Sequence, residues 1–317
     1  IRFSMEPKAT VTGGAGFIGS SLVRALLANG YRVSVLDDFS TGRLSNLQGL
    51  LEQIELREGS ILEPTSLRQV MAGSDVVFHY AAQVSVPFSM ANPERTQQIN
   101  GTGTLNVLEA AVAAGCRRVI YAGSSSCYGD VARDIQTESD PIAPISPYGE
   151  SKYQGEVHCH RFATETALET VVLRYFNVFG PGQDPDSPYS AVIPKFISLI
   201  LAGQSPTIFG DGQQSRDFTF VENVVQANLL AARVHQLSGH SINIANGRSI
   251  SLRQLVALLS EYTAESVEPV FEAARAGDIL HSCANISKAR ELLGYQPLVS
   301  IEEGLKRTVD FFRSHSL

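Results

Sequence analysis

The sequence has no long apolar segment and no excess of basic residues. No run of about 18 apolar residues, the length a membrane-spanning helix needs, occurs in the chain, and the N-terminal stretch lacks the apolar core of a signal peptide. The formal net charge is −7, whereas binding to the phosphate backbone of nucleic acid needs a basic face. These absences favour a cytoplasmic protein that binds neither membranes nor nucleic acid.

Cysteine is scarce and charged residues are few. The four cysteines are far apart and form no Cys-x-x-Cys pair, so neither a zinc site nor a disulfide framework is expected. His158 and His160 flank Cys159, but residues two apart on a helix point in different directions, and we interpret the segment as helix surface with a buried thiol. No metal site is predicted. Charged residues make up 18% of the chain, below the roughly 25% of typical soluble domains, which indicates much buried surface.

Short β-rich runs alternate with helical stretches along the chain. The predicted strands cover residues 8–12, 31–36, 54–57, 75–79, 118–122 and 170–174. The predicted helices cover about residues 17–28, 64–71, 94–114, 147–166, 191–202, 223–234, 252–262 and 301–313. The alternation predicts an α/β fold with a doubly wound parallel sheet over residues 1–176. Loops rich in glycine and proline predict a smaller lobe over residues 177–317, from which some segments return to the first domain.

A glycine-rich turn follows the first predicted strand, in Gly13-Gly-Ala-Gly16-Phe-Ile-Gly19, and a helix follows the turn. Strand, glycine turn and helix in this order are the context of a dinucleotide fingerprint. Gly13 would permit the tight turn, Gly16 would let the backbone approach the pyrophosphate at the helix N-terminus, and Gly19 would let helix and strand pack closely. Asp37 ends the next strand, where a carboxylate bonds an adenosine ribose and repels a 2′-phosphate. The sequence therefore predicts NAD rather than NADP.

Tyr148 and Lys152 are four residues apart in a predicted helix, so their side chains share one face. A nearby ammonium favours the phenolate, but bringing a phenol of pKa about 10 within three units of neutrality takes roughly 4 kcal/mol. One lysine rarely supplies all of that, and the positive charge of an oxidised nicotinamide would make up the difference. The pair is therefore predicted to work with the cofactor.

Three segments distant in sequence are expected to meet at one edge of the sheet. The strand 118–122 continues into the serine run 124–126, and the strand 170–174 leads to Asn177. The helix that carries Tyr148 lies between these strands in the chain. Because ligands of an open parallel sheet bind beyond the carboxyl ends of its strands, these groups predict the active site.

Taken together, these motifs resemble those of the extended short-chain dehydrogenase/reductase superfamily, and within it the NAD-dependent UDP-sugar 4-epimerases. The resemblance covers nearly the whole chain. It rests on Gly13-x-x-Gly16-x-x-Gly19, Asp37, His79-Tyr-Ala-Ala82, Asn100-x-Thr-Gly103, Ser124-Ser-Ser-Cys-Tyr-Gly129, Ser146-Pro-Tyr148-x-x-x-Lys152, Arg174-Tyr-Phe-Asn177-Val-Phe-Gly-Pro181, Gly210-Asp-Gly212, Arg216-Asp-Phe-Thr219 and Arg275-x-Gly-Asp278. It implies an isomerase that interconverts UDP-glucose and UDP-galactose, and their N-acetylated counterparts.

The resemblance also implies a role for each site residue. Tyr148 would take the proton of the sugar 4-OH, Lys152 would lower the pKa of Tyr148 and bind the nicotinamide ribose, and Ser124 would bridge Tyr148 to the 4-oxygen. Hydride would pass to retained NAD and return to the opposite face of the 4-keto sugar, without net redox change. The implied cofactor-binding residues are Gly13, Gly16, Phe17, Ile18, Gly19, Asp37, Ser60, Ile61, Ala81, Ala82, Asn100, Tyr148, Lys152 and Tyr175. The implied substrate-binding residues are Ser124, Ser125, Ser126, Tyr148, Asn177, Val192, Arg216, Arg275, Asp278 and Ser282.

Departures from the family pattern narrow the expected reaction. The related 4,6-dehydratases carry an Asp-Glu pair directly after the position of Ser124, where this chain has Ser125 and Ser126, so dehydration is disfavoured. Ser60 stands where an aspartate usually contacts adenine, which predicts weaker cofactor binding. Ser282 stands where some glucose-specific epimerases carry a bulky tyrosine, which leaves room for an acetamido group.

Other functions and the oligomeric state remain open at this point. A UDP-glucuronate 4-epimerase is the nearest alternative, followed by a nucleotide-sugar dehydratase or decarboxylase and by a non-catalytic dinucleotide-binding regulator. The helices 94–114 and 147–166 carry long apolar stripes, and the equivalent helices of the resembling family form a four-helix dimer interface. We therefore expect a homodimer.

Overall fold

A computed structural model describes residues 6–130, 135–185, 191–274 and 280–315. Its strands are β1 (Lys8–Thr12), β2 (Arg32–Asp37), β3 (Ile54–Glu58), β4 (Val76–His79), β5 (Arg118–Ser124), β6 (Glu169–Tyr175), β7 (Val178–Phe179), β8 (Thr207–Phe209), β9 (Ser215–Arg216), β10 (Thr219–Phe220), β11 (His240–Ile244), β12 (Ile250–Ser251), β13 (Val270–Glu272) and β14 (His281–Ser282). Its α-helices are α1 (Phe17–Ala28), α2 (Pro64–Met71), α3 (Val86–Ala91), α4 (Pro93–Gln97), α5 (Gly103–Ala113), α6 (Pro147–Glu165), α7 (Val192–Leu201), α8 (Val221–Arg233), α9 (Leu252–Thr263), α10 (Ser287–Leu293) and α11 (Ile301–His315).

Seven parallel strands of the described chain form the central sheet, in the order β11-β6-β5-β4-β1-β2-β3. Successive side chains of a strand point to opposite faces, and both faces are covered by helices. Ile120 faces α1 and α8, whereas its neighbours Val119 and Tyr121 face α2, α5 and α6. The predicted doubly wound α/β fold is confirmed. The strand order reverses between β1 and β4, which is where such sheets bind ligands.

A third cluster of buried apolar side chains lies outside this sheet. Helices α7, α9 and α11 pack together there, with Phe179 and Phe220 of the short strands β7 and β10. However, β11 and α8 also follow residue 177 in the chain, and they belong to the central sheet and its covering layer. The domain boundary at residue 176 stays a prediction. Within the described residues, no helix is both long and apolar enough to cross a membrane.

The structure contains elements that the sequence pattern did not predict. The helix expected at 94–114 is divided into α4 and α5 by a π-helical turn at Gln98–Thr102. Strand β11 was not predicted because only two of its five residues, Ile242 and Ile244, are apolar. Ser241 and Asn243 are nevertheless buried, since the Ser241 hydroxyl donates to Glu156 at 2.6 Å and the Asn243 side-chain oxygen accepts from the Tyr128 hydroxyl at 2.6 Å.

A buried ion pair fixes α6 against the sheet. The Arg174 Nε of β6 donates to Glu156 Oε2 at 3.0 Å, a second bond joins Arg174 Nη2 to Glu156 Oε1, and the two side chains are 4% and 3% exposed. Arg174 also donates to the hydroxyl of Tyr128 at 2.7 Å, and that hydroxyl donates to Asn243 on β11 at 2.6 Å. Burial opposes ionisation of Glu156, but hydrogen bonds from His160, Arg174 and Ser241 hold its pKa at about 2.

Replacing Glu156 with glutamine should destabilise the fold by about 3–5 kcal/mol, because the Arg174 guanidinium would remain buried without its counter-charge. Urea unfolding at pH 7 measures this change. Glu165→Gln is the matched control, since it removes the exposed Arg161–Glu165 contact of the same helix, 3.8 Å long, and should cost at most about 1 kcal/mol. Equal losses in the two variants would contradict the role given to the buried pair.

Candidate active site

The turn between β1 and α1 presents backbone N–H groups at the carboxyl edge of the sheet. Gly13 has φ of 71°, and a Cβ at this position would come within 2.6 Å of the backbone N of Ala81. A Cβ at Gly19 would lie 2.1 Å from the carbonyl oxygen of Gly13. Glycine is therefore required at both positions by the turn and by the packing of α1 on β1.

The fold does not require a glycine at position 16, unlike at positions 13 and 19. Its φ is −75°, and an added Cβ would approach only the Gly13 carbonyl oxygen, at 3.3 Å. Gly16 is the N-cap of α1 and no side chain caps the helix, so the N–H groups of its first turn, which includes Phe17 and Ile18, remain for an anion. The turn fits the pyrophosphate of a dinucleotide.

Asp37 ties the end of β2 to the glycine turn. Its Oδ2 accepts the N–H of Ala15 at 2.8 Å and its Oδ1 accepts the N–H of Phe39 at 2.9 Å, while burial raises its pKa. Each carboxylate oxygen retains a second lone pair for a ribose hydroxyl. The sequence indicated the ribose contact but not this structural role, which depends on the turn geometry.

The other cofactor-binding candidates surround the same sheet edge. The Ser60 hydroxyl accepts the N–H of Leu62 at 3.2 Å, and Ile61 is buried with its carbonyl bonded to Asn106 at 3.1 Å. Ala81 and Ala82 follow β4 after Tyr80, and the backbone of Ala81 lies against the turn at Gly13.

Asn100 and Tyr175 have their side chains engaged within the protein. The Asn100 amide bonds to both backbone groups of Gln83, at 2.7 and 2.9 Å, and to the hydroxyl of Ser151 on α6 at 2.9 Å. The Tyr175 hydroxyl bonds to Tyr80 at 2.8 Å and to Asn228 of α8 at 2.9 Å. Asn100 therefore connects the chain after β4 to α6, whereas the side chain of Tyr175 is bonded to Tyr80 and α8.

Tyr148 lies in the first turn of α6, beside Ser124 at the end of β5. The Ser146 hydroxyl caps this helix by accepting the N–H of Gly149 at 3.1 Å. Burial raises the pKa of Tyr148, a hydrogen bond with Ser124 opposes the rise, and the neighbouring Cys127 adds to it. The structure thus brings together the predicted base and the predicted bridging hydroxyl.

Lys152 differs from its expected electrostatic role. It is 5% exposed, its Nζ lies 4.4 Å from the ring centroid of Tyr121, and burial lowers its pKa to about 7. Burial is the largest influence on both groups, and it leaves the pKa of Tyr148 raised rather than lowered. The predicted lowering of that pKa by Lys152 is not seen in the protein alone.

The serine run forms a short 3-10 turn at Ser125–Cys127 after β5. The Ser126 hydroxyl donates to the Ser124 hydroxyl at 2.8 Å, and the Ser126 N–H donates to the same oxygen at 3.2 Å. Ser124, Ser125 and Ser126 are all partly buried. The turn places hydroxyl groups, rather than carboxylates, next to Tyr148.

A cavity of about 510 Å³ lies beside this edge, where the third apolar cluster begins. Three predicted substrate-binding residues from separate segments line it: Asn177, Val192 and Arg216. Ser282 is buried and pairs in register with Arg216 between β14 and β9. Arg275 and Asp278 lie outside the described residues.

Two charged residues of the cavity wall were missed by the sequence analysis. Lys195 lies three residues after Val192 on α7, so the helical spacing of these two residues was an available signal. Glu272 ends β13, which pairs with β8, and nothing in the sequence indicated that pairing.

A sequence profile of the NAD dependent epimerase/dehydratase family matches residues 9–245. The chain belongs to this family. It is 37% identical to the UDP-glucose 4-epimerase of Mycolicibacterium smegmatis, over 98% of this chain and 99% of the relative.

Two solved structures resemble this epimerase-family chain closely. One is the UDP-glucose 4-epimerase of Thermotoga maritima with UDP-glucose, with a TM-score of 0.93, 39% identity and coverage of 98% of this chain and 100% of that one. The other is the UDP-N-acetylglucosamine 4-epimerase of Methanobrevibacter ruminantium in complex with UDP-N-acetylmuramic acid, with a TM-score of 0.93, 38% identity and the same coverages of 98% and 100%. The predicted family, the NAD cofactor and the isomerase class are confirmed, whereas these relatives are named for different sugars.

Replacing Gly16 with alanine should remove bound NAD without unfolding the protein. The backbone at Gly16 suits any residue, but the added Cβ would occupy the approach to the pyrophosphate. The NAD content after heat release and the melting temperature measure the two effects separately. Gly19→Ala, whose Cβ would clash within the turn, should lower both. An unchanged NAD content in Gly16→Ala would show that the dinucleotide does not bind at this turn.

Proposed function

We propose that this protein is a UDP-hexose 4-epimerase that interconverts UDP-glucose and UDP-galactose, and UDP-N-acetylglucosamine and UDP-N-acetylgalactosamine. The observation that carries the proposal is the contact of Tyr148 with Ser124 at the carboxyl end of β5. Ser124 is in register with Tyr175, two residues before Asn177 in the cavity wall. The reacting groups and the nucleotide cavity therefore share one sheet edge.

Each site residue acts on the sugar or keeps the reacting groups in place. Tyr148 takes the proton of the 4-OH and later returns one to the 4-oxygen, and Ser124 holds that oxygen by hydrogen bonding. When bound, NAD supplies hydride acceptance and hydride return at C4. Lys152, which is buried beside Tyr121, would hold the nicotinamide ribose by hydrogen bonding. Asn100 holds α6 at the sheet edge through its bond to Ser151.

The nucleotide part of the substrate is held apart from the reacting carbon. Arg216 contributes a guanidinium suited to a diphosphate, and Asn177 and Val192 line the remaining cavity. Arg275 and Asp278 are proposed to contact the same nucleotide. Because the anchor is the diphosphate, the sugar ring is free to turn and present either face of C4 to the same cofactor.

Epimerisation is better supported than dehydration. A 4,6-dehydratase needs an acid and a base beyond the 4-position, and the residues after Ser124 are Ser125 and Ser126, whose hydroxyls cannot serve as carboxylate bases at neutral pH. A UDP-glucuronate 4-epimerase is the nearest alternative, and turnover of UDP-glucuronate in place of UDP-glucose would favour it.

We also propose that the protein is a homodimer joined through α5 and α6. Each of these helices carries an exposed apolar side chain in the described structure, Val112 on α5 at 42% exposure and Val157 on α6 at 43%. Burial of these side chains against a second copy would remove them from water.

The purified protein, without added coenzyme, should convert UDP-galactose to UDP-glucose, as followed by proton NMR of the two C4 isomers. Tyr148→Phe should lower kcat by roughly 10²–10⁴-fold, because the base is lost, while NAD and UDP still bind. Tyr153→Phe is the control, since Tyr153 lies on the same helix but packs against the core, and its rate should stay near that of the native chain. Absence of any C4 isomer, or an unchanged rate in Tyr148→Phe, would contradict the proposal.

Ser282→Tyr should select against N-acetylated sugars. The larger side chain would fill the space left by the buried serine, so kcat/KM for UDP-N-acetylglucosamine should fall roughly 100-fold while that for UDP-glucose changes by only a few fold. Ser282→Ala, which keeps the space open, should leave the ratio of the two values unchanged. If the native chain does not act on UDP-N-acetylglucosamine, or if Ser282→Tyr leaves the ratio intact, Ser282 does not set this specificity.

A further inference from the structure

Asp217 is a fully buried carboxylate at the wall of the nucleotide cavity, 0% exposed. Its Oδ1 accepts the N–H of Asn246 at 3.0 Å. Its Oδ2 accepts the N–H of Gly247 at 2.9 Å and that of Ala284 at 3.2 Å, and the thiol of Cys283 lies 3.8 Å from the same oxygen. The partners of this buried acid are thus backbone N–H groups and a thiol.

The backbone of Asp217 makes two further bonds to residues of the site. Its N–H donates to the carbonyl of Ser282 at 2.7 Å, and its carbonyl accepts from the side-chain amide of Asn177 at 3.0 Å. Its chain neighbours, Arg216 and Phe218, both line the cavity. One residue therefore joins the chain after β6, the chain after β11 and the strand β14 to the segment that carries Arg216.

These segments meet outside the regular helices and strands, so secondary structure pairs few of their backbone N–H groups. Buried N–H groups need acceptors, and a carboxylate is the side chain that accepts several N–H groups at once while donating none. Burial raises the pKa of Asp217 to about 7, and the N–H groups of Ala284, Asn246 and Gly247 oppose the rise. Burying a carboxylate that accepted no hydrogen bonds would destabilise the fold, so these N–H groups are what allow an acid at this buried position.

We propose that Asp217 is a positioning residue of the nucleotide site, whose carboxylate holds the chain after β11 and the chain after β14 against the segment that carries Arg216, so that Arg216 and Asn177 face the bound UDP. The inference rests on the proposed function, because that function assigns the UDP part of the substrate to this cavity. Asp217 touches neither the sugar nor the cofactor and acts through its neighbours. Its loss should therefore weaken nucleotide binding more than it slows the chemical step.

The isosteric variant Asp217→Asn removes one acceptor position and adds a donor that faces N–H groups. Leaving one buried N–H unpaired typically costs about 1–3 kcal/mol, which shifts the loops that carry the binding residues. The dissociation constant of UDP, measured by calorimetry on the NAD-loaded protein, should rise roughly tenfold or more. KM for the UDP-sugar should rise with it, whereas kcat should change by less than about threefold and the NAD content should not change.

Asn223→Asp is the matched control. Asn223 is also fully buried and holds a loop, since its Oδ1 accepts the N–H groups of Leu298 and Val299 at 2.9 and 3.0 Å and its side-chain amide donates to the Val299 carbonyl at 2.8 Å. Asn223→Asp removes this last donor, and neither partner lines the cavity. This variant should lose comparable stability in urea unfolding, while its UDP dissociation constant stays within about twofold of the native value.

A second, milder variant tests the inference if Asp217→Asn does not fold. Gly247 has φ of 77°, and a Cβ there would lie 3.2 Å from Ile286, so Gly247→Ala strains the N–H that Asp217 accepts without altering the carboxylate. It should raise the UDP dissociation constant in the same direction.

Three outcomes distinguish a failure of this inference from a failure of the proposed epimerase function. Weaker UDP binding in Asp217→Asn or Gly247→Ala, with kcat and NAD content retained, supports it. Unchanged UDP binding in these variants, with a stability loss like that of Asn223→Asp, overturns it and leaves the epimerase assignment intact. Failure of the native, NAD-loaded chain to bind UDP overturns the proposed function and the inference together.

Discussion

The buried pair between Glu156 and Arg174 joins α6, which carries Tyr148 and Lys152, to β6 of the central sheet. Glu156 lies one turn after Lys152 and two turns after Tyr148 on α6, and Arg174 is the penultimate residue of β6. A buried ion pair contributes little net stability, because desolvation offsets its attraction, but removing one partner leaves an uncompensated buried charge. We infer that the pair mainly specifies the position and rotation of α6 on the sheet, and with them the place of the phenol beside Ser124.

Burial around this helix also governs the charges at the site. It raises the pKa of Tyr148 and lowers that of Lys152 to about 7. The protein alone therefore favours an uncharged phenol on Tyr148 and makes the Lys152 ammonium easier to deprotonate. An oxidised nicotinamide would shift this balance, because a positive charge nearby favours the phenolate. The base would then become effective in the cofactor-loaded protein, which links proton removal to the presence of the hydride acceptor.

Local sequence signals were sufficient for much of this architecture. Three signals could be recognised within single segments of the chain: the glycine turn, the acid that ends β2, and the spacing of Tyr148 and Lys152. The structure also brings Tyr148 and Ser124 together as expected. Strand β11 was missed because its buried polar residues find partners on α6 and in the chain after β5, which no local pattern reveals. Glu272 was missed because nothing local indicates the pairing of β13 with β8, and Asp217 was missed because its partners lie in the chain after β11 and after β14.

The central claim is that the reaction at C4 is a temporary oxidation in which the carbon-bound hydrogen never leaves the protein. The most direct test is to incubate the purified protein in ordinary water, without added coenzyme, with UDP-galactose that carries deuterium at C4. The UDP-glucose formed should keep the deuterium at C4, as read by NMR and mass spectrometry. Replacement of that deuterium by hydrogen from the solvent would contradict it.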